Sequence, residues 1–303
     1  SARSVGTSID SRRMVLVAWL LARTPLRVAA AFSAVVSWLW WGVVPVRRRL
    51  AVSNFRRTFP GLSPGPSMRR MMRGVVLGYF ELLHEERLPG SVEMSIEGIE
   101  PILERGREGK GTLVFGAHFG SWDLVAPLLA RRTGVTATVV VKIPRSKPVA
   151  ALMERVRTSY GLGLLANRTG SMPRVYELLD EGQVLVFVID QRLGRGIPIP
   201  FFGRPALTAP AIAAAAAKTG LPVYFLEFWR EGTGRHGARF SGPLPVTGRP
   251  EEDMAIFTLR IEEAIRRRPY SWLWLHDRWK GAPEAARGIL RAPAGAGVIG
   301  DKP

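Results

Sequence analysis

Between Thr112 and Arg230 the sequence switches repeatedly between short, uniformly apolar runs and segments with helical spacing. TLVFG (Thr112–Gly116), VTATVVV (Val135–Val141), QVLVFVID (Gln183–Asp190) and LPVYFLEFWR (Leu221–Arg230) are short and rich in β-branched and aromatic residues. They read as strands, and runs without alternation are strands buried on both faces. Between and after them lie segments with helical signals: Ser121–Arg132 with Ser121 as its N-cap, Lys147–Gly161, Ser171–Gly182, Thr208–Gly220 and residues 251–267. This alternation predicts an α/β fold, a largely parallel central sheet covered by helices. A chain of 303 residues is long enough to bury such a core without disulfides, and it has no cysteine.

The N-terminal part is different. Val28 to Val46 carries no charge over 19 residues, about the length that crosses a hydrocarbon core. Trp38, Trp40 and Trp41 cluster near its end, and Arg47, Arg48 and Arg49 follow at once. The pattern predicts an N-terminal apolar membrane helix, either spanning the bilayer or lying in its interface. A buried core helix is the plain alternative. A cleaved signal peptide fits poorly, because PVRRRL is a poor cleavage site. Residues 1–50 therefore read as a lead-in and membrane anchor, 51–280 as the α/β domain, and 281–303, rich in Ala, Gly and Pro, as a flexible tail.

Charge narrows the partners. Lys and Arg total 43 against 25 acidic residues, a net charge of +18. Eight arginines and no acidic residue fall between positions 47 and 73. Such a field favours anionic partners: nucleic acid, anionic lipid headgroups or phosphorylated substrates. An anionic membrane attracts each such residue by about 1 kcal/mol. Nine tryptophans and the uncharged run favour the membrane surface over nucleic acid. Without cysteine or a His-x3-His spacing, neither a metal site nor another cofactor is expected.

His118 stands out chemically. It follows a buried strand, at the carboxyl edge where open α/β sheets place their ligands. Gly116 and Gly120 flank it, and Asp123 follows in the first turn of the next helix. Five residues across a turn can bring that carboxylate to the imidazole, fixing its tautomer and leaving the other nitrogen to take a proton from a hydroxyl. The bland alternative is a structural histidine with Asp123 favouring the helix dipole. Ser121 as a nucleophile lacks the G-x-S-x-G elbow. Lys142, Arg145, Arg168, Arg192 and Arg195 lie in loops after strands, suited to phosphates or simply to solvent. Phe201 and Phe202 with Gly203 read equally as an apolar wall or as core. His276 reads as an anchor of the C-terminal segment rather than as a second active-site base.

The motifs carry a resemblance. HFGSWD (His118–Asp123) resembles the His-x4-Asp/Glu motif of lysophospholipid acyltransferase-like enzymes, and more closely that of the bacterial lipid A biosynthesis late acyltransferases. RRRLAVSNFRRTFPGLS (Arg47–Ser63), DQRLGRGIPIPFFGRPALT (Asp190–Thr208) and YSWLWLHDRWK (Tyr270–Lys280) resemble further blocks of that family, in order. Asp123 and Ser121 depart from its usual Glu and Asn. Asp at that position also occurs in mycobacterial phosphatidylinositol mannoside acyltransferases.

The resemblance implies a glycerolipid acyltransferase-like fold at the cytoplasmic face of a bacterial inner membrane. His118 and Asp123 would be catalytic. Asp190, Gln191, Arg192, Arg168, Phe202 and Gly203 would bind substrate. The donor would be an acyl carrier protein or acyl-CoA thioester. The acceptor would be a hydroxyl of a phosphorylated glycolipid, first a lipid A precursor, otherwise a lysophospholipid, phosphatidylinositol mannoside or amino-acid lipid. The rival from another class is a non-catalytic basic protein of the membrane surface or of nucleic acid.

Overall fold

The computed structural model describes residues 19–141, 160–168 and 170–282. Among the described residues nine strands form two sheets: β1 (Glu93–Glu97), β2 (Thr112–Gly116), β3 (Ala137–Val141), β4 (Leu162–Ala166), β5 (Val184–Val188), β6 (Ile197–Phe201), β7 (Arg204–Thr208), β8 (Val223–Gly232) and β9 (Arg235–Leu244). The main sheet runs in the order β1-β9-β8-β2-β5-β3-β4, and β6 and β7 form a separate hairpin. Within the main sheet only β8 and β9 are antiparallel neighbours. The expected largely parallel sheet is therefore present. β2 sits at its centre with every residue buried, as its unbroken apolar run requires.

Eight helices are fully bounded: α1 (Leu26–Gly42), α2 (Arg48–Thr58), α3 (Pro64–Arg87), α4 (Glu100–Arg107), α5 (Trp122–Thr133), α6 (Met172–Asp180), α7 (Ala211–Thr219) and α8 (Pro250–Arg267). α7 packs against both α6 and α8, and the three helices contact β5, β2 and β8. There Phe115 of β2 stacks between Phe225 and Phe257 at 5.1 and 4.9 Å. The helix expected over Lys147–Gly161 lies outside the described residues except for its last two.

The spanning alternative of the membrane-helix expectation needs correction. The uncharged run is helical only to Gly42, and α1 has 17 residues. Among the described residues no helix is long and apolar enough to cross a membrane. The physical reason lies in its small residues. Ala29, Ala30, Ser33 and Ser37 are buried, and Ala29 and Ala30 pack with Leu77 and Phe80 of α3. The opposite face, with Val28, Phe32, Val35 and Trp38, is exposed; Trp38 is 63% accessible. The run is thus an amphipathic element of a second kind, one face on protein and one apolar face uncovered.

Candidate active site

The site starts where β2 ends. The backbone must pass close to β8 there: a Cβ on Gly116 would lie 3.1 Å from the Leu226 carbonyl oxygen. Gly120 turns the chain with φ +45°, a conformation that favours glycine. α5 begins at Trp122. Ser121 stands at the expected N-cap but makes no capping hydrogen bond. Its hydroxyl instead accepts from the Arg230 Nη2 at 2.6 Å. Arg230 also binds Glu81 of α3, and Glu81 accepts from His236 Nε2 at 3.0 Å and from the Gly234 backbone at 2.8 Å. A buried ion network thus claimed the cap residue. A buried, engaged hydroxyl is also a poor nucleophile.

His118 follows β2 by two residues, and Asp190 follows β5 by two. β2 and β5 are adjacent and parallel, with Gly116 opposite Val188. The two overhangs therefore meet. Asp190 is 3% accessible and accepts three hydrogen bonds. They come from His118 Nδ1 at 2.8 Å, the His118 backbone N–H at 3.0 Å and Trp272 Nε1 at 2.8 Å. Burial alone would raise its pKa. The charge and Nδ1 bond of His118, the backbone N–H and Trp272 outweigh burial and hold it down at about 2. Asp190 is therefore ionised at neutral pH, and an acceptor-only carboxylate requires the proton on His118 Nδ1. His118 Nε2 is then the basic nitrogen. The Gln191 amide nitrogen lies 3.1 Å from it, and the edge of the imidazole packs on Trp122 at 5.2 Å between centroids.

The spacing argument chose Asp123 as the carboxylate that orients the ring. The structure puts Asp190 on Nδ1, and sequence reasoning had placed Asp190 near the acceptor. A partner from a neighbouring strand is invisible to local spacing. Equal two-residue overhangs after two adjacent parallel strands were the signal, and it needs the strand order. Asp123 lines the same cavity as His118 and accepts from the Tyr79 hydroxyl at 3.2 Å. Tyr79, from α3, carries no signal in the sequence, and Trp272 is marked only by its place in the YSWLWLHDRWK block.

His118, Asp123, Gln191 and Arg192 face a cavity of about 630 Å³. Part of its wall is apolar, with Val139, Val186, Leu226 and Phe228. A smaller apolar cavity of about 40 Å³ shares Val139, Val186 and Leu226 and runs on toward Ile99, Ile102 and Leu129. Arg168 and Arg195 are exposed and not among this lining, although Asn167 beside Arg168 is. Phe202 and Gly203 form the tight turn of the β6–β7 hairpin, with φ +50° and +69°. The Phe202 backbone donates to Glu262 Oε1 at 2.7 Å, and its ring packs on Phe59. Neither residue is among the cavity's lining, so the structure does not bring them to His118. Lys142 and Arg145 lie outside the described residues.

The C-terminal block laces the site together. The Leu273 backbone donates to the His118 carbonyl at 3.1 Å, and the Gly120 backbone donates to the Ser271 carbonyl at 2.7 Å. His276 Nε2 accepts from the Arg192 backbone at 2.9 Å, and burial pushes its pKa down. It works as a neutral anchor, as expected. Arg278 is buried and donates from Nη1 to the Leu207 carbonyl at 2.8 Å and from Nη2 to the Thr208 hydroxyl. Burial pulls its pKa down to about 10, so it stays charged.

A geometry of ionised carboxylate, imidazole and apolar cavity suits proton abstraction from a hydroxyl beside a hydrophobic substrate. The comparisons agree. The sequence model of the bacterial lipid A biosynthesis acyltransferases matches residues 12–281. Curated relatives include a phosphatidylinositol mannoside acyltransferase of Mycobacterium tuberculosis, 26% identical over 69% of this chain and 68% of that protein. Another, from Mycolicibacterium smegmatis and of the same name, is 24% identical over 56% of this chain and 57% of its own length.

Proposed function

Given that the chain belongs to the bacterial lipid A biosynthesis acyltransferase family, we propose that it moves a fatty acyl chain from an acyl carrier protein or CoA thioester to a hydroxyl of a phosphorylated glycolipid. The observation that carries this reading is the Asp190–His118 pair, with His118 lining a cavity that also has apolar walls. The acceptor hydroxyl gives its proton to His118 Nε2 as its oxygen attacks the thioester carbonyl. The carbonyl electrons move onto oxygen, and an oxyanion forms. Collapse breaks the C–S bond, and the thiolate leaves with the proton from the imidazolium. Asp190 holds the tautomer and balances the ring charge. Asp123, held by Tyr79, adds negative charge at the cavity wall beside the incoming acceptor.

The uncovered face of α1 supports seating on an anionic membrane. Val28, Phe32, Val35 and Trp38 would enter the headgroup boundary, and exposed arginines such as Arg49, Arg56 and Arg57 would meet lipid phosphates. The cytoplasmic face of a bacterial inner membrane offers that charge together with the acyl thioesters.

The motif resemblance puts a lipid A precursor first as acceptor. The relatives' names and Asp123 support a phosphatidylinositol mannoside instead. The test is acyl transfer from a labelled thioester in mixed micelles to each of these and to a lysophospholipid. Transfer to one glycolipid at least tenfold above the others names the acceptor. Preference for the lysophospholipid, or transfer to none, contradicts the proposal.

A further inference from the structure

The geometry points to Gln191 as the donor that meets the oxyanion, an assignment that rests on the acyl-transfer reading above. Among the described residues around His118, Gln191 is the one whose side-chain amide nitrogen lies at hydrogen-bond distance, 3.1 Å, from the basic Nε2. Because Nδ1 keeps its proton for Asp190, Nε2 accepts and the Gln191 amide donates. An acceptor hydroxyl must take that place on Nε2 to give up its proton. The amide is then displaced by one hydrogen-bond length, toward the carbonyl that the hydroxyl attacks.

Proton transfer makes the handover one-way. Once Nε2 is protonated it is itself a donor, and the Gln191 amide no longer matches it. The same event creates the negative oxygen that needs a donor. Ring protonation therefore keeps the displaced amide off Nε2 at the step when the oxyanion appears.

The Gln191 backbone is held for this task. Asp190 before it takes three donors. Arg192 after it donates from its backbone to His276 and from Nε to the Lys280 carbonyl at 2.7 Å. The Arg278 guanidinium reaches the Gln191 carbonyl itself at 3.4 Å. A backbone fixed before the reaction leaves only the side-chain amide to move, which limits reorganisation during it.

Gln191→Met keeps length and removes the donor; Gln191→Ala guards against a packing artefact of Met. Thiol release from an acyl-CoA reads thioester cleavage whether the acyl group goes to lipid or to water. Both variants are expected to lose on the order of 10²–10³ in kcat, with KM for the donor changed by no more than about threefold. Selective 15N-histidine labelling gives an independent readout, since the chain has four histidines. The unprotonated Nε2 resonance of His118, assigned by its absence in His118→Ala, moves downfield when the amide donor is lost. A kcat loss below about tenfold, a loss confined to KM, or an unmoved Nε2 resonance overturns the assignment. A wild type that cleaves no thioester contradicts the acyl-transfer reading and this assignment with it. A wild type that cleaves while Gln191→Met cleaves equally well contradicts this assignment alone.

Discussion

Replacing Asp190 by Asn separates the two carboxylates that could serve His118. The shape is kept and the charge is lost. The carboxyl lies at about 2 instead of its ordinary 3.8. That shift corresponds to roughly 2 kcal/mol of preference for the charged form beside His118. Losing the charge removes comparable support from the imidazolium, roughly thirtyfold in rate. The second effect is larger. An amide NH2 facing Nδ1 forces the ring proton onto Nε2, and the base is then on the wrong side. In serine proteases the equivalent change costs about 10⁴ in kcat, and a loss of that order is expected here. Asp123→Asn leaves the Asp190–Nδ1 bond in place and is expected to cost no more than about a hundredfold. The assay is initial-rate thiol release at neutral pH, with thermal unfolding checked for each variant. Asp190→Asn within about tenfold of wild type, beside an inactive Asp123→Asn, would refute the reasoning and restore the local pairing.

Acid stability follows from the same linkage. Burial opposes ionisation of Glu81, but His236 and Arg230 hold it at about 2 against an ordinary 4.5. Both it and Asp190 are depressed, so their contribution is full above about pH 5 and is lost as pH falls from about 4.5 to about 2. Glu81→Gln should flatten that loss in urea titrations at pH 3 and pH 6, and an unchanged pH slope would contradict it. Arg230→Met leaves Glu81 buried without its guanidinium partner and should lower unfolding free energy by about 3 kcal/mol; a change below about 1 would sink the network's structural importance. Trp38→Glu adds charge to the exposed face of α1. Flotation with anionic vesicles should drop several-fold, and unaltered flotation would remove that face from membrane seating.

The sheet was legible where both faces are buried. β2, β3, β5 and the first seven residues of β8 show as apolar runs because most of their residues are buried and none is exposed. β1 alternates exposed and half-buried residues over EMSIE, too polar to stand out. β6 and β7 carry three prolines between them, IPIPF and RPALT. They form a separate hairpin in which a missing N–H is tolerated. β4, LGLLA, contains Gly163, where a Cβ would lie 2.3 Å from the Thr138 hydroxyl. Its glycine recorded close strand packing, which a single segment cannot reveal.

The site was half legible. His118 was visible because strand, glycine turn and helix are contiguous. Its partner was not, because β2 and β5 are 72 residues apart at His118 and Asp190 and only the strand order joins them. Ser121 lost its cap to Arg230 from β8, again a contact across the fold. α1 illustrates the same limit. Its apolar length suggested a helix that spans the membrane or lies in its interface, while Ala29 and Ala30 pack one face on α3.

The most direct test of the central claim is single-turnover transfer from a labelled acyl-carrier-protein or CoA thioester to the preferred glycolipid, comparing wild type with His118→Ala. The account predicts ester formation by wild type and a fall of at least about a hundredfold in the variant, the scale of general base catalysis. Equal rates in the two proteins would contradict it.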